Sequence, residues 1–214
     1  INRAVDAALA KSGLPGAVVM AATADDVIHA SGHGDASTDA MYRIYSMTKL
    51  VGVLAALKAA EEGLLALSDP VSNLLPEFVD LPVLDGFDGN VARLRPQRTA
   101  ATLHHLATHQ AGCVYSEWNA PMRAYFRAKG IRGLDDSSLA GLCALPLAFD
   151  PGSAWGYGTG IDWLGLAVQR AADELLDAYV GSRISAPLGL KNLCFKIDED
   201  KSKRLRPSGH LSPA

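Results

Sequence analysis

The stretch SMTKLVGVLAALKAAEEG, residues 46–63, decides how this sequence of 214 residues folds. Residues 50–57 are apolar apart from one glycine, so a helix formed here has no polar face. A helix that is apolar all round is normally buried in the interior of a protein. We therefore predict a buried helix that begins near Ser46 and ends at Gly63, because glycine is favoured just past a helix end.

Shorter elements flank this helix. Apolar positions recur at helical spacing over the first nine residues, and two apolar runs, 17–22 and 27–31, are separated by turn-forming residues. These patterns predict a helix followed by a β-hairpin. Caps and apolar periodicity then predict mainly helices, with one further strand at Leu193–Ile197. The predicted helices follow Ser68-Asp69-Pro70, Thr102 (ending at Gly112), residues 135–138 and Thr159, and a last one spans Glu174 to Ile184.

The predicted sheet is too small to stand alone. A two-stranded hairpin is marginal in water, and one more strand does not cover a fully apolar helix. We expect a missing C-terminal half or a second chain to complete the sheet. The predicted organisation is a sheet-domain part with the apolar helix at 1–63, a mainly helical region at 64–197, and a loosely ordered segment at 198–214.

Composition excludes several classes of function. The net charge of −3 offers no electrostatic reason to bind nucleic acid, and the 49% hydrophobic and 20% charged content is typical of a soluble globular protein. No apolar run reaches the roughly 20 residues of a membrane helix. The start at Ile1 carries neither an initiator Met nor a signal peptide, so we expect a trimmed N-terminus. The three cysteines, Cys113, Cys143 and Cys194, are widely spaced, which predicts buried thiols in a reducing, cytoplasmic location and no disulfide, metal or cofactor site.

The pair Ser46 and Lys49 carries the strongest chemical signal. Residues three apart lie on one face of a helix, so the Ser46 hydroxyl is expected beside the Lys49 amine. An apolar setting disfavours the charged form of Lys49, and a neutral amine can take the serine proton as a general base. The structural alternative is a serine that caps the helix and a lysine whose amine reaches solvent.

Tyr157 is the second candidate. It stands within PGSAWGYGTG, residues 151–160, just before a predicted helix, so its phenol can point from a turn into a cleft and relay a proton. The alternative is a tyrosine packed on the surface of a turn. A dinucleotide-binding loop is disfavoured because the glycines do not follow G-x-G-x-x-G and no parallel strand precedes them.

Other polar clusters are interpreted as structural. His105 and His109 have a metal-like spacing, but the H-E-x-x-H pattern is absent, and packing histidines are the favoured interpretation. No serine lies in G-x-S-x-G. The acidic residues near Asp85 and Asp135 are interpreted as turn and cap residues, and Arg93, Arg95 and Arg98 as a solvated loop.

Taken together, these segments resemble the serine β-lactamase-like superfamily, in its class C-like branch of family VIII carboxylesterases and fungal statin-type acyltransferases. The resemblance covers nearly the whole chain and matches the N-terminal half of that fold. The matching stretches are residues 42–49 with the nucleophile motif, 64–78, 82–88, 93–95, 102–112 with the Thr-His…Gly ending, and 151–165 with Trp155, Tyr157 and Asp162.

The resemblance implies an α/β (α+β) fold of the β-lactamase/transpeptidase type, with an antiparallel sheet flanked by helices. It implies a serine hydrolase that acts on small esters through an acyl-enzyme on Ser46, with Lys49 and Tyr157 sharing the general-base work. The oxyanion donors implied are the Ser46 N–H and a second N–H from a strand.

Two departures keep alternatives open. The chain has Tyr157-Gly158-Thr159 where lactamases and peptidases carry Tyr-x-Asn, and the family's third motif is absent. A β-lactamase or penicillin-binding DD-peptidase, and a non-catalytic scaffold or inactive fragment, remain the alternative functions.

Overall fold

A computed structural model describes residues 1–132 and 138–206 of the chain. These residues form two units: Ile1–Tyr45 with the described part of Lys191–Ala214, and Ser46–Leu190. The division predicted at residues 63 and 197 stays a prediction. The elements are α1 (Asn2–Ser12), β1 (Gly16–Ala22), β2 (Val27–Gly34), α2 (Thr48–Glu61), β3 (Val83–Asp88), β4 (Val91–Arg95), α3 (Leu103–Ala107), α4 (Ala120–Lys129), α5 (Leu139–Cys143), α6 (Gly160–Ala172), α7 (Leu176–Val180) and α8 (Glu199–Arg204).

The first unit contains the predicted N-terminal helix and hairpin, and both are confirmed. Helix α1 ends at Gly13, whose φ of 69° is easily reached only by glycine. Strands β1 and β2 pair antiparallel, with Val19 opposite Ser31. The predicted strand at Leu193–Ile197 is wrong, since the structure has no strand there. In the terminal segment predicted as loosely ordered, Asp198 caps α8 by accepting a hydrogen bond from the Lys201 N–H.

Helix α2 of the second unit confirms the central prediction, with a correction to its burial. The face of α2 that carries small side chains is buried, and Ala55, Ala56 and Ala59 on it are 0% exposed. This face packs on α6 so closely that a Cβ at Gly52 would lie 2.8 Å from Ile161. The opposite face is not buried, because three leucines remain partly exposed: Leu50 (67%), Leu54 (42%) and Leu57 (48%).

Strands β3 and β4 were not predicted. They form a second antiparallel hairpin, in which the register shifts between Leu84 and Phe87. The arginines interpreted as a solvated loop lie on or after β4, and Arg95 is held by the carboxylate of Asp150 through N–O distances of 3.0 and 2.7 Å. The residues near Asp85 are likewise part of a strand rather than a simple turn. The apolar runs of this hairpin are short, and its charged side chains form ion pairs across the two strands, Arg93 with Asp88 and Arg95 with Asp85.

Of the predicted caps, Thr102 and Ser138 are confirmed, whereas the Thr159 side chain makes no capping hydrogen bond to α6. Thr102 and His105 form a capping box at α3, which ends at Ala107 instead of Gly112. Helix α6 is confirmed, and Trp163 on it packs edge-on against Phe78 with ring centroids 5.2 Å apart. Ser138 caps α5, while predicted cap residues 135–137 lie outside the described part of the chain. The helix predicted after Pro70 is only a 3₁₀ turn, Val71–Asn73. Helix α4 was not predicted. The helix predicted from Glu174 to Ile184 is α7, which continues into a π-helical turn, Gly181–Ser185.

Candidate active site

Ser46 and Lys49 lie together at the start of α2. Ser46 belongs to a 3₁₀ turn, Tyr45–Met47, that runs directly into the helix. The Lys49 ammonium donates to the Ser46 Oγ at 3.5 Å and to the Tyr115 Oη at 3.1 Å. Ser46 is exposed while Lys49 is half-buried, so the hydroxyl is accessible and the amine is partly shielded. The predicted neighbourhood of the two side chains is therefore present.

Tyr157 also lies beside Lys49, as expected for a shared site. The Lys49 Nζ is 4.9 Å from the centre of the Tyr157 ring and 5.1 Å from that of Tyr115. The two tyrosine rings meet edge to face with centroids 5.5 Å apart. Three sequence-predicted residues thus converge within one unit, together with Tyr115.

Sequence reasoning missed Tyr115. No spacing rule connects a residue after Gly112 to a nucleophile 69 positions earlier. The available signal was weak: Tyr115 follows the helix-and-glycine segment that the family resemblance had already marked. In the structure the Tyr115 N–H donates to the Tyr157 carbonyl at 2.9 Å, so the backbones of the two tyrosines are tied together.

His109 holds the loop that carries Tyr157. Its carbonyl accepts from the Gly156 N–H at 2.9 Å, and its Nδ1 accepts from the Gly158 N–H at 3.4 Å. Its ring lies 4.8 Å from the Tyr157 ring, centroid to centroid. His109 adopts a left-handed φ of 59°, a conformation that costs energy for a residue with a side chain. His109, whose spacing from His105 resembles that of metal ligands, therefore holds the loop that carries Tyr157 in place.

The protonation of Lys49 differs from the expectation. Burial acts most strongly and lowers the pKa of Lys49, but the hydrogen bonds and charges of Tyr115 and Tyr157 outweigh it. The net result is a Lys49 pKa raised above its usual value. The predicted neutral amine is wrong for this arrangement because phenol oxygens, rather than apolar side chains alone, surround the ammonium.

Burial and the charge of Lys49 also shift the pKa values of two nearby side chains, His109 and Asp162. Burial lowers the pKa of His109, and the charge of Lys49 lowers it further, which favours the neutral imidazole that accepts from Gly158. Burial raises the pKa of Asp162 in the first turn of α6, although the charge of Lys49 opposes this. The charged lysine is thus the electrostatic centre of the site.

Two tryptophans border the site. Trp118 is 70% exposed and stacks edge-on against Tyr157 at 5.3 Å, while Trp155 is 66% exposed and contacts the ring of His109 at 6.2 Å. Flat apolar surface of this kind suits small organic substrates. Across the described residues, no group of three or more His, Cys, Asp or Glu side chains could hold a metal ion.

The cysteines contribute no reactive group to this site. Cys113 is buried, and burial raises the pKa of its thiol. The prediction of buried thiols fails for Cys194, which is exposed, and Cys143 is intermediate. Within the described ranges, no helix is long and apolar enough to span a bilayer.

The fold and the serine–lysine–tyrosine geometry together define a class. Residues 1–213 match the model of the Beta-lactamase family, and the chain belongs to this family. Its β-lactamase/transpeptidase-like fold and its resemblance to statin-type acyltransferases are thereby confirmed.

Named relatives are acyltransferases and esterases. The chain is 38% identical over 163 residues to monacolin J acid methylbutanoyltransferase of Aspergillus terreus, covering 75% of the chain and 39% of the relative. It is 32% identical over 209 residues to esterase EstB of Burkholderia gladioli, covering 91% of the chain and 50% of the relative. Among solved structures, simvastatin synthase (LovD) from Aspergillus terreus matches with a TM-score of 0.84 and 33% identity, over 95% of this chain and 55% of that one. The chain therefore spans half or less of the length of these two curated relatives.

Proposed function

We propose that this chain is the nucleophile-bearing part of a serine esterase or acyltransferase that acts on small esters. One observation carries the proposal: the Lys49 ammonium lies between the Ser46 hydroxyl and the Tyr115 phenol, at 3.5 and 3.1 Å. Covalent catalysis uses a nucleophile beside a polar group that a third residue orients, and these contacts are often longer in structures without substrate. The proposed catalytic residues are Ser46, Lys49 and Tyr157.

In the proposed acylation, Tyr157 acts in its ionised form: Ser46 Oγ attacks the ester carbonyl while its proton moves to the Tyr157 phenolate oxygen. The charge of Lys49 stabilises the anionic oxygen beside it, so the lysine supports the general-base work that Tyr157 performs. The carbon–oxygen bond of the ester then breaks, and the leaving alcohol takes the proton from Tyr157. Water or a second alcohol enters by the reverse steps, which gives hydrolysis or acyl transfer.

The oxyanion of the tetrahedral intermediate needs backbone donors. We assign the first to the Ser46 N–H and the second to a strand outside this chain. Each such donor typically lowers the barrier by about 3 kcal/mol.

Thr159 favours esters over β-lactams as substrates. Its residue is 8% exposed, and its N–H donates to the Cys113 carbonyl at 3.1 Å. A buried threonine without a carboxamide offers no equivalent of the asparagine that lactamases and peptidases carry in the Tyr-x-Asn motif. Amide recognition at this position is therefore not supported.

Other residues are proposed to complete the sheet. The described ranges contain two separate two-stranded sheets, and the leucine face of α2 remains exposed. A missing C-terminal half or a second chain would bury that face. The proposed partners are this complement and a small-molecule ester.

Hydrolysis of p-nitrophenyl butyrate tests the function. We expect turnover by the protein that includes the complementing residues, and a loss of at least a thousandfold in Ser46→Ala, because the nucleophile is removed. Ser72→Ala, at an exposed serine of the same unit, is the matched control and keeps full activity. Unchanged turnover in Ser46→Ala contradicts the proposal, and faster turnover of a chromogenic cephalosporin than of esters favours the lactamase alternative.

A further inference from the structure

The first unit contains a row of polar side chains that the proposed reaction does not use. His29, Ser31 and His33 share one face of β2, because side chains two apart on a strand point the same way. The Ser31 Oγ lies 2.8 Å from the Nε2 of His29 and 2.8 Å from the Nε2 of His33. The other ring nitrogen of His33, Nδ1, lies 2.7 Å from the Oδ1 of Asp6 in α1.

This row is partly shielded from water. His33 is 6% exposed, and Ser31 and His29 are half-buried, while the Asp6 side chain keeps 62% of its surface in solvent. Low local polarity strengthens hydrogen bonds among groups that satisfy one another. The residues paired with the row across β1 are small or apolar: Ala17, Val19 and Ala21.

Counting donors and acceptors determines which atom donates in each hydrogen bond of the row. The Asp6 carboxylate only accepts, so a neutral His33 carries its proton on Nδ1 and leaves Nε2 as an acceptor. The single Ser31 proton is then donated to His33, and His29 must donate its Nε2–H to the Ser31 Oγ. Nucleophile, base and orienting carboxylate are thus arranged as in a serine–histidine–aspartate triad.

We propose that Ser31 is a second nucleophile, independent of Ser46, that is acylated by short activated esters and modified by small organophosphonates. Ser31 Oγ forms the new bond to carbon or phosphorus, and its proton passes to His33 Nε2. The leaving aryloxide or fluoride takes that proton and departs as the phenol or as hydrogen fluoride. The His29 Nε2–H donates to the Ser31 Oγ and orients it, and Asp6 acts as a positioning residue that stabilises the charged His33.

A fluorophosphonate probe applied to the Ser46→Ala chain tests this site, with modified serines identified by peptide mass spectrometry over time. Ser12 of the same unit is the internal control, because it is exposed and donates only to the Leu9 carbonyl. We expect Ser31 to react at least about a hundredfold faster than Ser12, since a positioned general base typically contributes that factor or more. Reaction of Ser31 no faster than Ser12 overturns the proposal.

Variants then test the roles. His33→Gln keeps a polar atom near Ser31 but no base, and we expect the Ser31 rate to fall to that of Ser12. His104→Gln, at an exposed histidine of the other unit, leaves it unchanged. Circular dichroism checks that the variants fold, and the comparison of Ser31 with Ser12 in the parent chain stands whether or not they do. A fast Ser31 in a folded His33→Gln variant also overturns the proposal.

Discussion

Lys49 is surrounded by oxygen atoms, and this decides its protonation state. An ammonium near two phenols gains hydrogen bonds that offset the loss of water, and the pKa of Lys49 rises accordingly. A charged lysine acts by stabilising negative oxygen, whereas a neutral lysine would act by removing a proton. The proposed division of work between Lys49 and Tyr157 follows from this difference.

Tyr115→Phe tests the influence of the missed residue. The substitution removes the acceptor 3.1 Å from the Lys49 Nζ, so the pKa of Lys49 should fall relative to the parent protein. NMR titration of the lysine side-chain nitrogen measures it. Loss of one hydrogen bond to a charged group should lower kcat/KM by on the order of tenfold to a hundredfold.

Tyr125→Phe is the matched control for that experiment. Tyr125 is 6% exposed in the core cluster around α4 and is not among the groups that shift the pKa of Lys49, so removal of its hydroxyl should leave that pKa unchanged. An unshifted pKa in Tyr115→Phe would show that this phenol does not govern the lysine.

At the scale of elements, the loop from Trp155 to Thr159 is held without regular secondary structure. Hydrogen bonds to His109, Cys113 and Tyr115 hold its backbone, and glycines allow the close approach. A Cβ at Gly158 would overlap the Cys113 carbonyl, and one at Gly156 would overlap Val114. The position of Tyr157 thus depends on two residues that have no side chain.

Gly158→Ala should displace this loop. Because the obstruction is backbone, we expect a loss of stability on the order of 1–3 kcal/mol and a fall in kcat as Tyr157 moves from Lys49. Urea denaturation and ester hydrolysis measure the two effects.

Gly181→Ala provides the comparison. A Cβ there meets nothing within 4 Å and the residue is helical, so the same change should be neutral or stabilise by up to about 1 kcal/mol. Equal effects of the two alanines would contradict the packing argument.

At the scale of the whole molecule, an ion pair distant in sequence joins the unpredicted hairpin to the segment before the tyrosine loop. Arg95 on β4 donates two hydrogen bonds to the Asp150 carboxylate, and the Arg98 N–H donates to the same carboxylate at 2.8 Å. The guanidinium and these hydrogen bonds lower the pKa of Asp150 to about 2. The pair links residues 55 positions apart within the second unit.

Asp150→Asn should reduce stability in a pH-dependent way. The folded pKa of about 2 lies below the usual unfolded value, which is about 3.9, so the contribution is full above pH 4 and is lost as the pH falls through 2. We expect the substitution to lower the free energy of unfolding by roughly 1–3 kcal/mol at pH 7, and by much less near pH 2.

Denaturant titrations at several pH values check this expectation. Asp88→Asn is the control, because its ion pair with Arg93 is exposed on both sides and should contribute under about 1 kcal/mol. A constant loss at all pH values for Asp150→Asn would show that packing, not charge, makes the contribution.

Local patterns predicted the elements that depend on local interactions. The helix from Ser46 to Gly63, the first hairpin and the cap at Thr102 all follow from neighbouring residues. The hairpin of β3 and β4 did not, because its charged residues are stabilised by partners such as Asp150 that lie far along the chain. The leucines of α2 are a second example. Their apolar character predicts that burial is favourable, but it does not predict which residues pack against them, and in this structure they are partly exposed.

The sequence by itself determined the family, the apolar helix that follows Ser46, and the closeness of Ser46 and Lys49, because residues three apart lie on one face of a helix. Only the tertiary structure decided that Tyr115 joins them, that Lys49 is held in its charged form, and that Asp6 of α1 meets His33 of β2. These features arise where segments remote in sequence meet. Their physical cause is hydrogen bonding and charge across those contacts, which no local pattern encodes.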